Sequence, residues 1–286
     1  MSAGSQRSLE TCRFVVIGAR RTGTNILREI LNTNCEIAML GEVFTPSSAP
    51  AHWPNFIAHR PFGELPPLNS IEASSLLDEY FEFVEYRIRN HWHNNSKALS
   101  RAFGVDIKYD QLSEVKPRDR PPTASPFLLD YLKRRGFIIV HSVRKNVIKC
   151  AISEMVAQER NLWHNYNRAI IDRTYYIDPN DCLSRARKIV QQYAGFERLT
   201  NGWLLIEAIY EHLAETIAAA PHGRIAEDAI PFKDIAQALK VSLRFKYDGR
   251  LRRAINIPYS RLISNYHELR SAVADSEFCQ FTASLE

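Results

Sequence analysis

Apolar positions along this chain follow two rhythms. Short apolar runs at Arg13–Gly18 (RFVVIG) and Phe137–Val143 (FIIVHSV) have the length of buried parallel strands, and Phe103–Tyr109 also reads as a strand. Between them, Ile26, Leu27, Ile30 and Leu31 recur at helix spacing within 24–32, and Leu76, Leu77, Tyr80, Phe81, Val84 and Ile88 do so within 71–91. The second stripe reads as core packing. A further apolar stretch, Glu36–Leu40, runs into Gly41-Glu42-Val43-Phe44. The same patterning predicts a helix from about Asn146 to Gln158, a mostly helical 181–219, a last strand at Arg224–Ala226 and a helix at Phe232–Leu239. Residues 45–69, rich in Pro and Ser, are expected to form a long surface loop. Strands alternating with helices predict an α/β fold, a central parallel sheet flanked by helices.

Composition narrows the picture. At 286 residues and 45% hydrophobic, with no linker or repeat, the chain is expected to form a single domain with its core over about 12–285. A net charge of +5 and a pI near 8.9 suit a small anionic ligand as well as nucleic acid, and no nucleic-acid motif is present. Cys12, Cys35, Cys150, Cys182 and Cys279 are odd in number and far apart, without CxxC or Cys/His metal spacing. No metal site is expected, and reduced thiols point to a cytoplasmic protein. No run of about 18 apolar residues occurs, so no membrane span is expected.

Candidate chemistry sits at two strand-to-helix turns. Gly18-Ala-Arg-Arg-Thr-Gly23-Thr24-Asn25 lies where parallel sheets bind phosphate: successive N–H groups and the helix N-terminus face the anion, and glycine lets backbone approach it. Arg20 and Arg21 add full charges; Thr22, Thr24 and Asn25 add short-range donors. The G-x4-G spacing is that of a Walker A loop, but Thr24-Asn25 stand where its Lys and magnesium-binding hydroxyl belong, which counts against an NTPase. The second turn leaves its strand at Arg144 and enters a helix carrying Ser153. A guanidinium fork with a nearby hydroxyl suits a second phosphate.

These segments resemble the 5'-phosphosulfate and 3'-phosphate loops of sulfotransferases that use 3'-phosphoadenylyl sulfate (PAPS). Five stretches, in the family's order, are similar to its bacterial branch of Nod-factor and other carbohydrate sulfotransferases: Arg21–Asn25, Gly41–Phe44, Gly104–Leu112, Val140–Ser153 and Ile263–Leu269. The resemblance implies a P-loop-like phosphosulfate-binding turn and metal-independent sulfuryl transfer from PAPS to a hydroxyl or amine of a small acceptor, a carbohydrate or natural product, with release of 3',5'-ADP.

By this resemblance Arg21, Thr22, Gly23, Thr24 and Asn25 hold the 5'-phosphosulfate, beside the charge of Arg20, and Arg21 stabilises the bridging oxygen as charge builds on it. Arg144 and Ser153 hold the 3'-phosphate, and Arg252 and Arg253 close over it. Glu42 matches the acidic residue that serves as general base in related bacterial enzymes. Asp110 stands where cytosolic relatives carry a catalytic His, which makes it the reserve base, and Lys108 becomes a sulfuryl contact. The 45–69 loop and the 159–205 region are expected to select the acceptor. His141 reads as a core or rim residue, and most of Trp53, Trp92, Trp163 and Trp203 as packing. Two rivals stay open: a P-loop small-molecule kinase, which would need Mg-ATP, and a non-catalytic nucleotide-binding protein.

Overall fold

A computed structural model describes residues 11–47, 49–61, 67–91, 100–161, 173–220, 223–247, 249 and 257–286. Strand β1 (Cys12–Gly18) leads into helix α1 (Thr24–Thr33), followed by β2 (Ile37–Glu42), α2 (Trp53–Ala58), α3 (Ser70–His91), β3 (Ala102–Lys108) and a 3-10 turn (Tyr109–Ser113). Helix α4 (Phe127–Arg134), β4 (Ile138–Val143), α5 (Val147–Arg160), α6 (Pro179–Leu199), β5 (Leu205–Ile209) and α7 (Tyr210–Ala219) come next. The chain then runs through α8 (Phe232–Leu239), α9 (Tyr259–Leu262), α10 (Tyr266–Ala274) and a closing 3-10 turn (Cys279–Leu285).

The five strands form one sheet in the order β2-β3-β1-β4-β5, and every pairing is parallel. Its centre shows why the apolar runs were continuous. Alternate residues of β1 point to opposite faces. Val15 and Ile17 pack with α2, α3 and α4, while Phe14 and Val16 pack with α1 and α8. A third apolar cluster joins α5, α6, α9 and α10. The Asn265 side chain bonds both backbone groups of Ile177 and so ties the α9–α10 corner to the segment before α6.

Two expectations fail. The last strand is Leu205–Ile209, inside the stretch read as helical, whereas Arg224 makes only an isolated bridge to Lys246. Leu, Glu and Ala favour helix locally, but Gly202, at φ 75°, helps turn the chain after α6, and pairing with β4 then fixes the strand. The 45–69 segment is not wholly loop. Trp53–Ala58 is a helix whose second residue is proline, and it buries Trp53 and Ile57.

The register positions the site. Gly18 stands opposite Lys108 on one side and Ser142 on the other, and Glu42 stands opposite Asp106. The carboxyl ends of four strands therefore converge beside the turn that follows β1, where open α/β sheets bind ligands.

Candidate active site

The turn after β1 is built by strain and by hydroxyls. Gly23, the N-cap of α1, has φ 87°, and a Cβ there would lie 2.5 Å from Cδ2 of Tyr210. Arg21 has φ 66°, a left-handed conformation that costs a non-glycine residue about 1–2 kcal/mol. Such strain belongs to sites where geometry serves something other than stability. The Thr22 hydroxyl donates to the Ala19 carbonyl at 3.0 Å and accepts from Ser142 Oγ at 3.1 Å, which pins the turn to β4. Thr22 is thus buried inside the turn as a brace. No acidic residue occupies the first turn of α1, and Asn25 lies half-buried within it. The positive end of that helix is left to face a ligand.

Arg21 and Arg144 come together across the sheet. Arg21 Nε donates to Ser153 Oγ at 3.1 Å, and Arg144 Nη1 donates to the Arg21 carbonyl at 3.3 Å. Arg144 is 8% exposed, with its guanidinium 4.4 Å over the Tyr210 ring. Its Nε is buried without a hydrogen-bond partner. Burial, then the neighbouring Arg144 charge, lowers the pKa of Arg21 from its ordinary value. A buried guanidinium with an orphaned donor, beside a second cation, is a site that an anion completes. The backbone of Arg144 is held as well: its N–H donates to the Tyr193 hydroxyl at 3.0 Å, and that hydroxyl donates to its carbonyl at 3.3 Å. Helix α5, by contrast, begins already capped. The Glu211 carboxylate accepts from the N–H groups of Lys145 and Asn146, so the anion-binding capacity at this turn rests on the Arg144 side chain.

A second constellation lies on the β2–β3 side. Lys108, 2% exposed, sends Nζ to both oxygens of Asp106 at 2.9 and 2.8 Å and to Thr24 Oγ1 at 2.7 Å. Glu42 Oε1 is 3.7 Å from the same ammonium, and Glu42 Oε2 is 3.7 Å from Arg20 Nη1. Gln111 donates to Thr45 Oγ1, which donates to Glu42 at 3.2 Å. This chain of donors aims the carboxylate. Arg20 also donates to Asp110 at 3.1 Å, so it bridges the two candidate bases and does not join Arg21 and Ser153. Asp110 is exposed at the head of the 3-10 turn.

Behind this layer, Tyr109 and His141 share a 2.5 Å hydrogen bond within a cluster that includes Phe196. Burial pushes the His141 pKa down to about 4 and that of Tyr109 up. The phenol therefore donates to a neutral imidazole, and His141 is a core residue as expected. Trp53 packs among Phe44, Phe56 and Tyr80, and Trp203 lies under Lys133. Arg252, Arg253, Trp92 and Trp163 lie outside the described residues. Sequence reasoning missed Asp106, Tyr193, Tyr210 and the Gln111–Thr45 relay. Only Asp106 carried a signal, since it lies two positions before Lys108 and strand periodicity puts both on one face. All five cysteines are free thiols. No helix among the described residues is long and apolar enough to cross a membrane.

No protein-family model matches the chain, and no curated protein does. Several solved structures are similar to it, two of them covered over nearly their whole length. A sulfotransferase from Alicyclobacillus acidocaldarius is 15% identical, with 96% of this chain and 94% of that one covered, at a TM-score of 0.42. The sulfotransferase domain of the Synechococcus PCC 7002 olefin synthase is 12% identical, with 96% and 94% covered, at a TM-score of 0.40. Likeness at such identity and TM-score says nothing of activity, and the chemistry of the site stands on its own residues.

Proposed function

We propose that this chain is a sulfotransferase that moves a sulfuryl group from PAPS to a hydroxyl or amine of a small acceptor and releases 3',5'-ADP. The observation that carries the reading is the meeting of two anion-binding elements: the strained Gly18–Asn25 turn and the buried Arg144, whose Nε lacks a partner. A donor with a phosphosulfate at one end and a 3'-phosphate at the other has two anions to match them. When bound, PAPS supplies an activated sulfuryl group on a good leaving group.

The chain's own residues do the rest. Arg21 and the start of α1 neutralise the 5' end, and Arg144 with Ser153 takes the 3'-phosphate. Glu42, aimed by Thr45 and Gln111, receives the acceptor's proton as its oxygen or nitrogen bonds to sulfur and the sulfur–oxygen bond to the nucleotide breaks. Lys108 and Arg21 face the charge that develops between them, and fixed cations there stabilise the transition state more than the ground state. Calorimetry tests the reading with 3',5'-ADP, ATP and ATP plus magnesium. Tight metal-free binding of 3',5'-ADP is expected, and preference for Mg-ATP would overturn it.

A further inference from the structure

Lys108 is an unusual residue to bury. An ammonium at 2% exposure is tolerated only when its donors are satisfied and its charge is opposed. Here three acceptors lie at 2.7–2.9 Å, two from Asp106 and one from Thr24, with Glu42 as a further carboxylate at 3.7 Å. Asp106 itself is 0% exposed. The three strands bring these groups together by register, Gly18 beside Lys108 and Asp106 beside Glu42. The fold has therefore built a small oxygen-lined cage against the first residue of α1 and placed one cation in it.

The composition of that cage is informative. In P-loop phosphate-transferring enzymes, a hydroxyl of the phosphate loop and an Asp from a core strand hold the divalent cation that neutralises the transferring group. This chain presents the same donor types, a hydroxyl from Thr24, which stands at the loop's Lys position, and a strand carboxylate from Asp106, with an ammonium between them. We infer that the Lys108 ammonium does the work of that divalent cation, with Asp106 as the positioning residue that fixes it beside the phosphate loop. The catalytic consequence rests on the sulfuryl transfer proposed above. The cation cage does not, because it is a property of four side chains.

The experiment separates these two layers. Removing the ammonium while keeping its cage leaves two carboxylates and a hydroxyl around a cation-sized gap, an oxygen-ligand set suited to a hard divalent ion. Mn2+ alone is the probe, read by its electron paramagnetic resonance signal at about 0.5 mM metal, a concentration in the range of weak oxygen-ligand sites. Wild type is expected to take up no Mn2+ at this site, Lys108→Ala to bind a single equivalent, and the double variant Lys108→Ala with Asp106→Asn to bind none. Uptake by wild type equal to that of Lys108→Ala, no uptake by a folded Lys108→Ala chain, or uptake that survives the Asp106 change would each overturn the inference. If Lys108→Ala does not fold, Asp106→Asn, which keeps the ammonium, decides by kinetics. Its kcat should fall by about 10- to 100-fold, as for loss of a group that orients a bound cation, with donor KM held within about two-fold. Asp106→Glu should restore part of the rate. An unchanged kcat, or equal losses in both Asp106 variants, makes Asp106 merely structural. Failure of the proposed sulfuryl transfer would show separately, as wild type that turns over no PAPS yet gives the same Mn2+ pattern.

Discussion

Replacing Arg144 by methionine sets stability against binding in one residue. The change removes the hydrogen bond to the Arg21 carbonyl at 3.3 Å and the one shared with the Tyr259 hydroxyl, each worth about 1 kcal/mol. It also removes the contact over Tyr210 at 4.4 Å, worth about 1–2 kcal/mol. Against this, it deletes a buried charge whose Nε has no partner, a defect of about 1–3 kcal/mol, and relieves the repulsion felt by Arg21. Methionine fills much of the aliphatic volume, so the net change in stability is expected within about 1 kcal/mol of zero. Binding follows a different sum. A charge-assisted contact to phosphate is worth about 1.5–3 kcal/mol, and an ion pair at about 4 Å near a protein surface reaches roughly 4 kcal/mol. Affinity for 3',5'-ADP should therefore drop by about 10- to 1000-fold, while 5'-AMP, which lacks the 3'-phosphate, should lose much less. Urea unfolding and calorimetry on the same preparation read both quantities. A variant destabilised by more than about 2 kcal/mol that still binds 3',5'-ADP within about three-fold would refute the reasoning and make Arg144 a packing residue.

Glu42→Gln should abolish turnover and leave 3',5'-ADP affinity within about two-fold, because its amide occupies the same volume but accepts no proton; surviving turnover moves the base to Asp110. The pH dependence of stability has a predicted sign at His141. Its folded pKa of about 4 lies below the ordinary 6.5, so the unfolded chain binds the proton more readily; the stability it contributes is complete above pH 6.5 and is lost as pH falls toward 4. That loss is about 2 kcal/mol between pH 7 and pH 5 by linkage, and urea titrations of His141→Gln should show a correspondingly flatter profile. Thiol titration of the native protein should modify the exposed Cys35 and Cys279 first; Cys150 and Cys182, buried and pushed up to about 11 and about 12, should react only after denaturation.

Much of the scaffold was legible because its centre is apolar on both faces. Strand β1 is a run of Phe, Val and Ile that satisfies two cores at once, and β3 and β4 keep enough apolar residues around Asp106, Lys108, His141 and Ser142 to read as strands. The edge strand β5 was not, because Leu205–Ile209 is half-exposed and its residues favour helix as readily; only the pairing with β4 decides. Helix α2 was hidden by the composition around it. Within the site, the meeting of Arg21, Arg144 and Ser153 followed from two turns at the same end of one sheet. The partners of Arg20 did not, since Glu42 and Asp110 are 22 and 90 residues away along the chain and only strand order brings them near. Asp106 was readable in principle from its spacing to Lys108, yet an Asp inside an apolar strand draws notice only once its partner is known to be buried.

The left-handed backbone at Arg21 has an evolutionary consequence. Glycine would adopt φ 66° without steric cost and asparagine with little, so at this position stability alone selects against arginine. On the donor-binding role proposed for it, arginine persists there only while its charge is under selection. In a lineage that lost the activity, drift would erase this residue early, toward Gly or Asn, while Val15 and Ile17 beneath it stayed apolar to keep the fold. The identity of residue 21 is thus a marker, readable in genomes, that separates working copies of this protein from those retaining only its shape.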